Sequence, residues 1–206
     1  MENLKYICLK CGTCCHEIPD SPGAKRIPLY PEEVDKLIEI AEERGITFSV
    51  KEDLVFPDEL NSKILVLTYR IILEPLGHCP FFTPDLGCSI HDRKPFACKA
   101  YPLSLKSLDA FNYEITIDPL CNFIISNYKT LKEIDIKDLK NIFLDEYPKA
   151  EKFFRKNKKL QLKIKKLEAE KKIRITRSIN LDDFNKALES WERVEIRTDL
   201  KDEMGG

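Results

Sequence analysis

The residues best suited to chemistry are eight cysteines in two blocks: Cys8, Cys11, Cys14 and Cys15 near the start, then Cys79, Cys88, Cys98 and Cys121 in the middle. The first block reads C-L-K-C-G-T-C-C. Two-residue gaps let a loop turn successive thiolates toward one centre, a spacing shared by zinc knuckles and 4Fe-4S loops. Gly12, directly after Cys11, suits a backbone that turns through positive φ or passes close to such a centre. Disulfides explain the set poorly. Neighbouring Cα atoms lie ~3.8 Å apart across a trans peptide, so Cys14 and Cys15 cannot bridge without strain. Core packing accounts for one or two thiols, not for a run spaced like this one.

The spacing therefore predicts metal or cluster ligation by Cys8, Cys11, Cys14, Cys15, Cys79, Cys88, Cys98 and Cys121, and it identifies no catalytic residue. The second block has no knuckle, so its ligands must come from separate parts of the fold. Zinc and iron-sulfur centres both accept four thiolates. The C-x2-C-x2-C run favours a 4Fe-4S cluster, with enough sulfurs for one or two, and zinc is the alternative. All three histidines adjoin the set, His16 after Cys15, His78 before Cys79 and His91 three residues past Cys88. Because the thiols alone can complete two sites, orienting or surface roles suit the histidines better than ligation. Arg93, Lys94 and Lys99 lie close enough in sequence to lower the thiol pKa values of Cys88 and Cys98, or are simply exposed charge. Tyr101-Pro102 reads as a packed turn.

The segments C-L-K-C-G-T-C-C at 8–15, C-P-F-F at 79–82 and C-S-I-H-D-R-K-P-F-A-C-K-A-Y-P at 88–102 resemble the YkgJ-type cysteine-cluster family, CxxCxxCC, of zinc- or iron-chelating proteins. The resemblance spans about residues 5–125 and takes in a helix expected between the blocks. Lys94 interrupts the family's Arg-Pro pair, and Lys99 stands where Arg is common. The resemblance implies a metal-chelating domain. Through distant relatives, the flagellin lysine methylases with their iron-sulfur cluster, it also implies a protein-modifying enzyme, although this chain has no glycine-rich S-adenosylmethionine loop.

The elements that must position these residues are legible in part. The chain has 206 residues, 34 Lys+Arg against 35 Asp+Glu, and seven glycines, which admit neither a G-x-G-x-x-G fingerprint nor a P-loop. An apolar h-region is missing before Cys8, and the apolar stretch 64–76 is interrupted by Arg70 and Glu74, so a cytoplasmic protein with no membrane partner is expected. Abundant Lys, Glu and Ile with a single Gln161 resembles a thermophile's bias. Residues 1–30 read as a loop that needs a metal to order it. Pro31 opens an amphipathic helix with Val34, Leu37, Ile38 and Ala41 on one face and Gly45 as its stop. Residues 46–50, 63–73 and 111–117 are strand candidates. After Cys121 one helix carries Ile136, Leu139, Ile142 and Phe143 and stops near Pro148, and a second carries Phe153, Leu160, Ile164 and Leu167. A short strand at Ile173–Ile175, a helix introduced by Asn180 and a frayed tail complete the chain.

The fold class is thus α+β, a small irregular metal-stapled domain over 1–125 with a helical, basic extension over 126–206 packed on it. Residues 149–177 hold 13 Lys and Arg against three Glu, a local charge of +10 that leaves −11 for the remainder. Such a stripe suits nucleic acid or an acidic protein, or is a solvated helix face. Two functions remain open: a redox or protein/RNA-modifying enzyme built on iron-sulfur, and a zinc-stabilised binding module that uses the 149–177 face.

Overall fold

A computed structural model describes residues 4–18, 21, 25–73, 75–109, 112–176 and 178–198. It contains both helices and sheets, an α+β chain with helical segments near its C-terminus. In chain order the elements are β1 (Pro28–Leu29), α1 (Pro31–Arg44), β2 (Val50–Asp58), β3 (Lys63–Ile71), β4 (Phe82–Thr83), β5 (Gly87–Cys88) and α2 (Phe96–Ala100). They continue with β6 (Leu103–Ser107), β7 (Tyr113–Ile117), α3 (Asn122–Ser126), α4 (Tyr128–Lys132), α5 (Ile136–Ile142), α6 (Glu146–Ala169), α7 (Leu181–Ser190) and β8 (Glu192–Glu195). A single 3-10 turn, Thr13–Cys15, lies within the first cysteine block. The contacts divide the chain into two discontinuous units, Met1–Ile27 with Leu73–Arg155 and Pro28–Ile72 with Lys156–Gly206. All eight cysteines belong to the first.

In the second unit, α1 starts at Pro31 as its composition dictates. Glu32 and Glu33 sit in the first turn, where the helix dipole favours negative charge, and the Glu33 carboxylate accepts the Tyr30 N–H at 3.0 Å. Gly45 ends the helix at φ 63. Val34, Leu37 and Ala41 are buried as the periodicity requires, but Ile40 is the fourth inward residue and Ile38 is exposed. The helix face is rotated slightly from the expected stripe. The strand expected over 46–50 begins where that segment ends: β2 runs through Lys51, Glu52 and Asp53 and forms an antiparallel hairpin with β3. Register shifts around Leu54, whose N–H donates to the Thr68 hydroxyl at 3.2 Å, bend the pair. β1 pairs with β3 at Tyr69–Arg70, and β8 pairs parallel with its other end, Lys63–Val66. Ile64, Val66 and Ala187 form a small core with Leu188 and Trp191 against it. Asp58, almost fully buried, accepts the Leu60 and Arg174 N–H groups and fixes the hairpin turn to the Ile175 bridge.

In the first unit, β6 and β7 form a hairpin, and the aromatic rings of Tyr6, Phe123 and Phe143 meet with centroids 5.0 and 5.1 Å from Tyr6. Tyr6 donates its N–H to the Ile142 carbonyl at 2.9 Å, which ties the start of the chain to α5. Pro148 does not stop a helix. It lies in the first turn of α6, where its missing N–H costs no hydrogen bond, so the boundary falls between α5 and Glu146. The α7 helix matches its forecast, with the Asn180 side chain accepting the Asp183 N–H at 2.9 Å. Phe111, Arg177 and the tail expected to fray after Thr198 lie outside the described residues, as do residues 1–3, 19–20 and 22–24 of the N-terminal loop.

Candidate metal centre

The two cysteine blocks are joined by backbone. Glu17 donates its N–H to the Gly77 carbonyl at 2.9 Å and Cys79 donates to the Cys15 carbonyl at 2.7 Å, with His16 and His78 bridged between them. This short antiparallel ladder brings Cys14 and Cys15 beside Cys79. The β4–β5 hairpin then sets Cys88 opposite Phe82, and Cys98 sits in α2. Gly12 has φ 78, and a side chain there would run into the Phe82 ring. The sequence had marked this glycine, and the reason is now geometric. Gly87, at φ 71 in the hairpin, leaves no room for a Cβ against the Lys10 carbonyl, so both loops meet backbone to backbone.

The thiols sense one another. Burial raises the Cys98 thiol well above its usual range, and the charges of Cys14, Cys79 and Cys88 push it further. Burial takes Cys79 up to about 11, with Cys88 and Cys14 adding to it. Cys88 is raised by burial and again by Cys14 and Cys8. Every pair among Cys14, Cys79, Cys88 and Cys98 is therefore within electrostatic reach. Cys14 goes the other way, down to about 7, chiefly because Cys15 donates to it across a 3.8 Å Sγ–Sγ contact and retains its own proton, with Lys25 and Lys94 assisting. Of the three cations flagged beside Cys88 and Cys98, Lys94 acts on both, but burial outweighs it and their pKa values rise. Lys99 instead lies over the Phe96 ring.

Besides Cys14, which its own amide reaches, three sulfurs accept backbone N–H groups from further along the chain. The Phe81 amide donates to Cys79, the Ile90 amide to Cys88, and the Phe123 and Ile124 amides to Cys121. In each case the donor two residues on points back at the sulfur. A neutral thiol gains little from such a bond, whereas a thiolate gains a charge-assisted one. The repeated turn was not visible in the spacing, because C-P-F, C-S-I and C-N-F share no side chain that announces it.

The remaining cysteines lie on the Tyr6 side. Cys121 is buried in the aromatic core and Cys8 packs against it; Cys11 is exposed, with its sulfur 3.3 Å from the Thr13 hydroxyl, and its charge reaches Cys121. Cys15 stays with the first group. The histidines support the loop by hydrogen bonding: His16 Nδ1 donates to the Gly12 carbonyl at 2.8 Å, His78 Nδ1 to the Cys79 carbonyl at 3.0 Å, and His91 Nε2 lies 3.2 Å from Lys94 Nζ. The donor chemistry suits a thiophilic metal. The side chains as they stand are neighbours and not a finished cage, since among the described residues no three His, Cys, Asp or Glu groups are arranged to hold one ion.

Comparison with known proteins agrees with the cysteine pattern. The family model CxxCxxCC, "Putative zinc- or iron-chelating domain", matches residues 7–122 and so takes in every cysteine. Neither the curated proteins nor the solved structures include a match. A match over more than half of the chain, carried by sulfurs that the fold gathers in one unit, establishes that the chain belongs to the CxxCxxCC family.

Proposed function

We propose that this protein is an iron-sulfur protein whose principal centre is held by the thiolates of Cys14, Cys79, Cys88 and Cys98. The observation that carries the reading is the set of backbone N–H groups aimed at Cys79 and Cys88, in a neighbourhood where all four sulfurs feel one another's charge. Hydrogen bonds to sulfur stabilise the anionic form that a metal requires and tune the potential of a cluster. A bound cluster would supply one-electron transfer. The chain's part is to deliver four sulfurs from three segments, to shield them, and to set Lys94 and Lys25 near enough to offset their negative charge. Cys8, Cys11 and Cys121 form a second thiol group on the Tyr6 side, in keeping with a second centre or with support for the first.

The basic segment gives less support to a binding module than its composition suggests. Lys156 is turned inward, where it pairs with Glu32 and caps the Tyr30 ring. Arg155 pairs with Glu151, Lys172 with Glu170, and Arg174 with Glu59. Anaerobic purification of the full chain followed by metal and acid-labile sulfide analysis tests the reading. Iron with matching sulfide is expected, and a colourless protein with stoichiometric zinc would overturn it.

A further inference from the structure

We propose that the second unit carries a binding site for a neutral saccharide, in a groove between the start of α7, the segment that precedes it and Trp191. The groove measures about 500 Å³, within the range of small-molecule sites. Seven of its eight lining residues lie beyond residue 122, where the family match ends, and all eight belong to the unit that holds no cysteine. Trp191 supplies the aromatic surface. It is the only tryptophan of the chain and packs against Ile64, Val66 and Ala187, so the ring is in place before a ligand arrives.

The polar groups fall into two sets. The charged ones are matched: Arg174 Nε lies 3.5 Å from Glu59 Oε2, and Lys186 Nζ lies 3.6 Å from Asp183 Oδ1. They are also anchored, since the Glu59 N–H donates to the Arg174 carbonyl at 3.0 Å and the Asn180 side chain accepts the Asp183 N–H at 2.9 Å. With each of these charges offset, the groove favours a neutral ligand over an ion, and the phosphates of a nucleotide find no spare cation among its described residues. The uncharged groups are open. Among the described residues, the hydroxyls of Thr176 and Ser178 and the indole N–H of Trp191 have no hydrogen-bond partner. A sugar hydroxyl both donates and accepts, so one ring can meet the indole donor, the two hydroxyls and the remaining carboxylate lone pairs together. The C–H face of such a ring carries the slight positive charge that the negative face of an indole attracts. Apolar lining is confined to Ile179 and Trp191, too little to hold a lipid chain.

The test titrates the metal-loaded full chain with a panel of neutral saccharides, glucose, galactose, mannose, N-acetylglucosamine, maltose and cellobiose, and follows both the emission of Trp191 and saturation-transfer NMR of the sugar. At least one member should shift the emission along a saturable curve, and its affinity should change less than about twofold between low and high salt, as expected where no ion pair forms. The double variant Thr176→Val/Ser178→Ala should weaken that sugar about threefold or more at an unchanged thermal midpoint. Trp191→Ala, followed by NMR, should weaken it about tenfold. If Trp191→Ala fails to fold, the double variant decides. No transferred saturation from any member of the panel, an affinity unaltered in the double variant, or salt-sensitive binding of oligouridylate in place of the sugars would overturn the site.

Discussion

The N–H of Cys79 donates to the carbonyl of Cys15 at 2.7 Å, so the two cysteine blocks are stitched together by the main chain before any side chain is considered. Sixty-three residues separate Cys15 from Cys79 in sequence, and Cys14 and Cys79 inherit their proximity from that bond, the Glu17–Gly77 bond and the His16–His78 bridge beside it. A metal that joins these blocks closes a long loop, which ties metal retention to the stability of the ladder.

Gly12→Ala tests that tie. The residue sits at φ 78 and an added Cβ meets the Phe82 ring, so the substitution should cost about 1–2 kcal/mol from the backbone alone, with the clash adding to it. A lower thermal midpoint and faster loss of metal to a chelator are expected. Wild-type retention would show that the loop does not depend on this turn.

Cys14 should be the most reactive thiol of the central group in metal-free protein. Its pKa is lowered from 9.0 to about 7 by the hydrogen bond from Cys15, so its thiolate forms as pH rises through about 7, while Cys79, near 11, remains protonated. Iodoacetamide labelling followed across pH by peptide mass spectrometry should show Cys14 modified first, with its rate rising around pH 7, about two units below the reference thiol. In Cys15→Ala the rise should move upward. Equal labelling of Cys14 and Cys79 at pH 8 would contradict the assignment.

How far the sequence foretold this arrangement depends on the range of the forces involved. α1 and α7 are set by local signals, Pro31 and Gly45 for one and Asn180 for the other, and both form where those signals lie. β2 was hidden because its first half, Lys51 to Asp53, is charged and its order comes from pairing with β3. Pro148 misled because proline is tolerated in a first turn and excluded later, and the local sequence does not say which turn it occupies. The cysteines announced a zinc- or iron-chelating domain through their spacing. Their grouping was not legible, since the Cys15–Cys79 ladder, the β4–β5 hairpin and the amides behind Cys79 and Cys88 are tertiary facts.

Lys156→Met probes the inward turn of the basic helix. The lysine is buried, pairs with Glu32 and lies 4.4 Å from the centre of the Tyr30 ring, whose hydroxyl donates to Asn157 at 2.8 Å. Removing the cation leaves a half-buried carboxylate and should cost about 2 kcal/mol in denaturant unfolding. Adding Glu32→Gln should recover part of the loss. An unchanged midpoint in the single variant would place this lysine among the solvated charges of the segment.

The most direct measurement is metal-edge X-ray absorption of the anaerobically purified full chain, compared with Cys98→Ser. A centre held by Cys14, Cys79, Cys88 and Cys98 should give an iron edge with a first shell made only of sulfur at about 2.3 Å, and the serine variant should lose metal or exchange one sulfur for oxygen. A first shell dominated by nitrogen or oxygen, or a spectrum unchanged by Cys98→Ser, would contradict it.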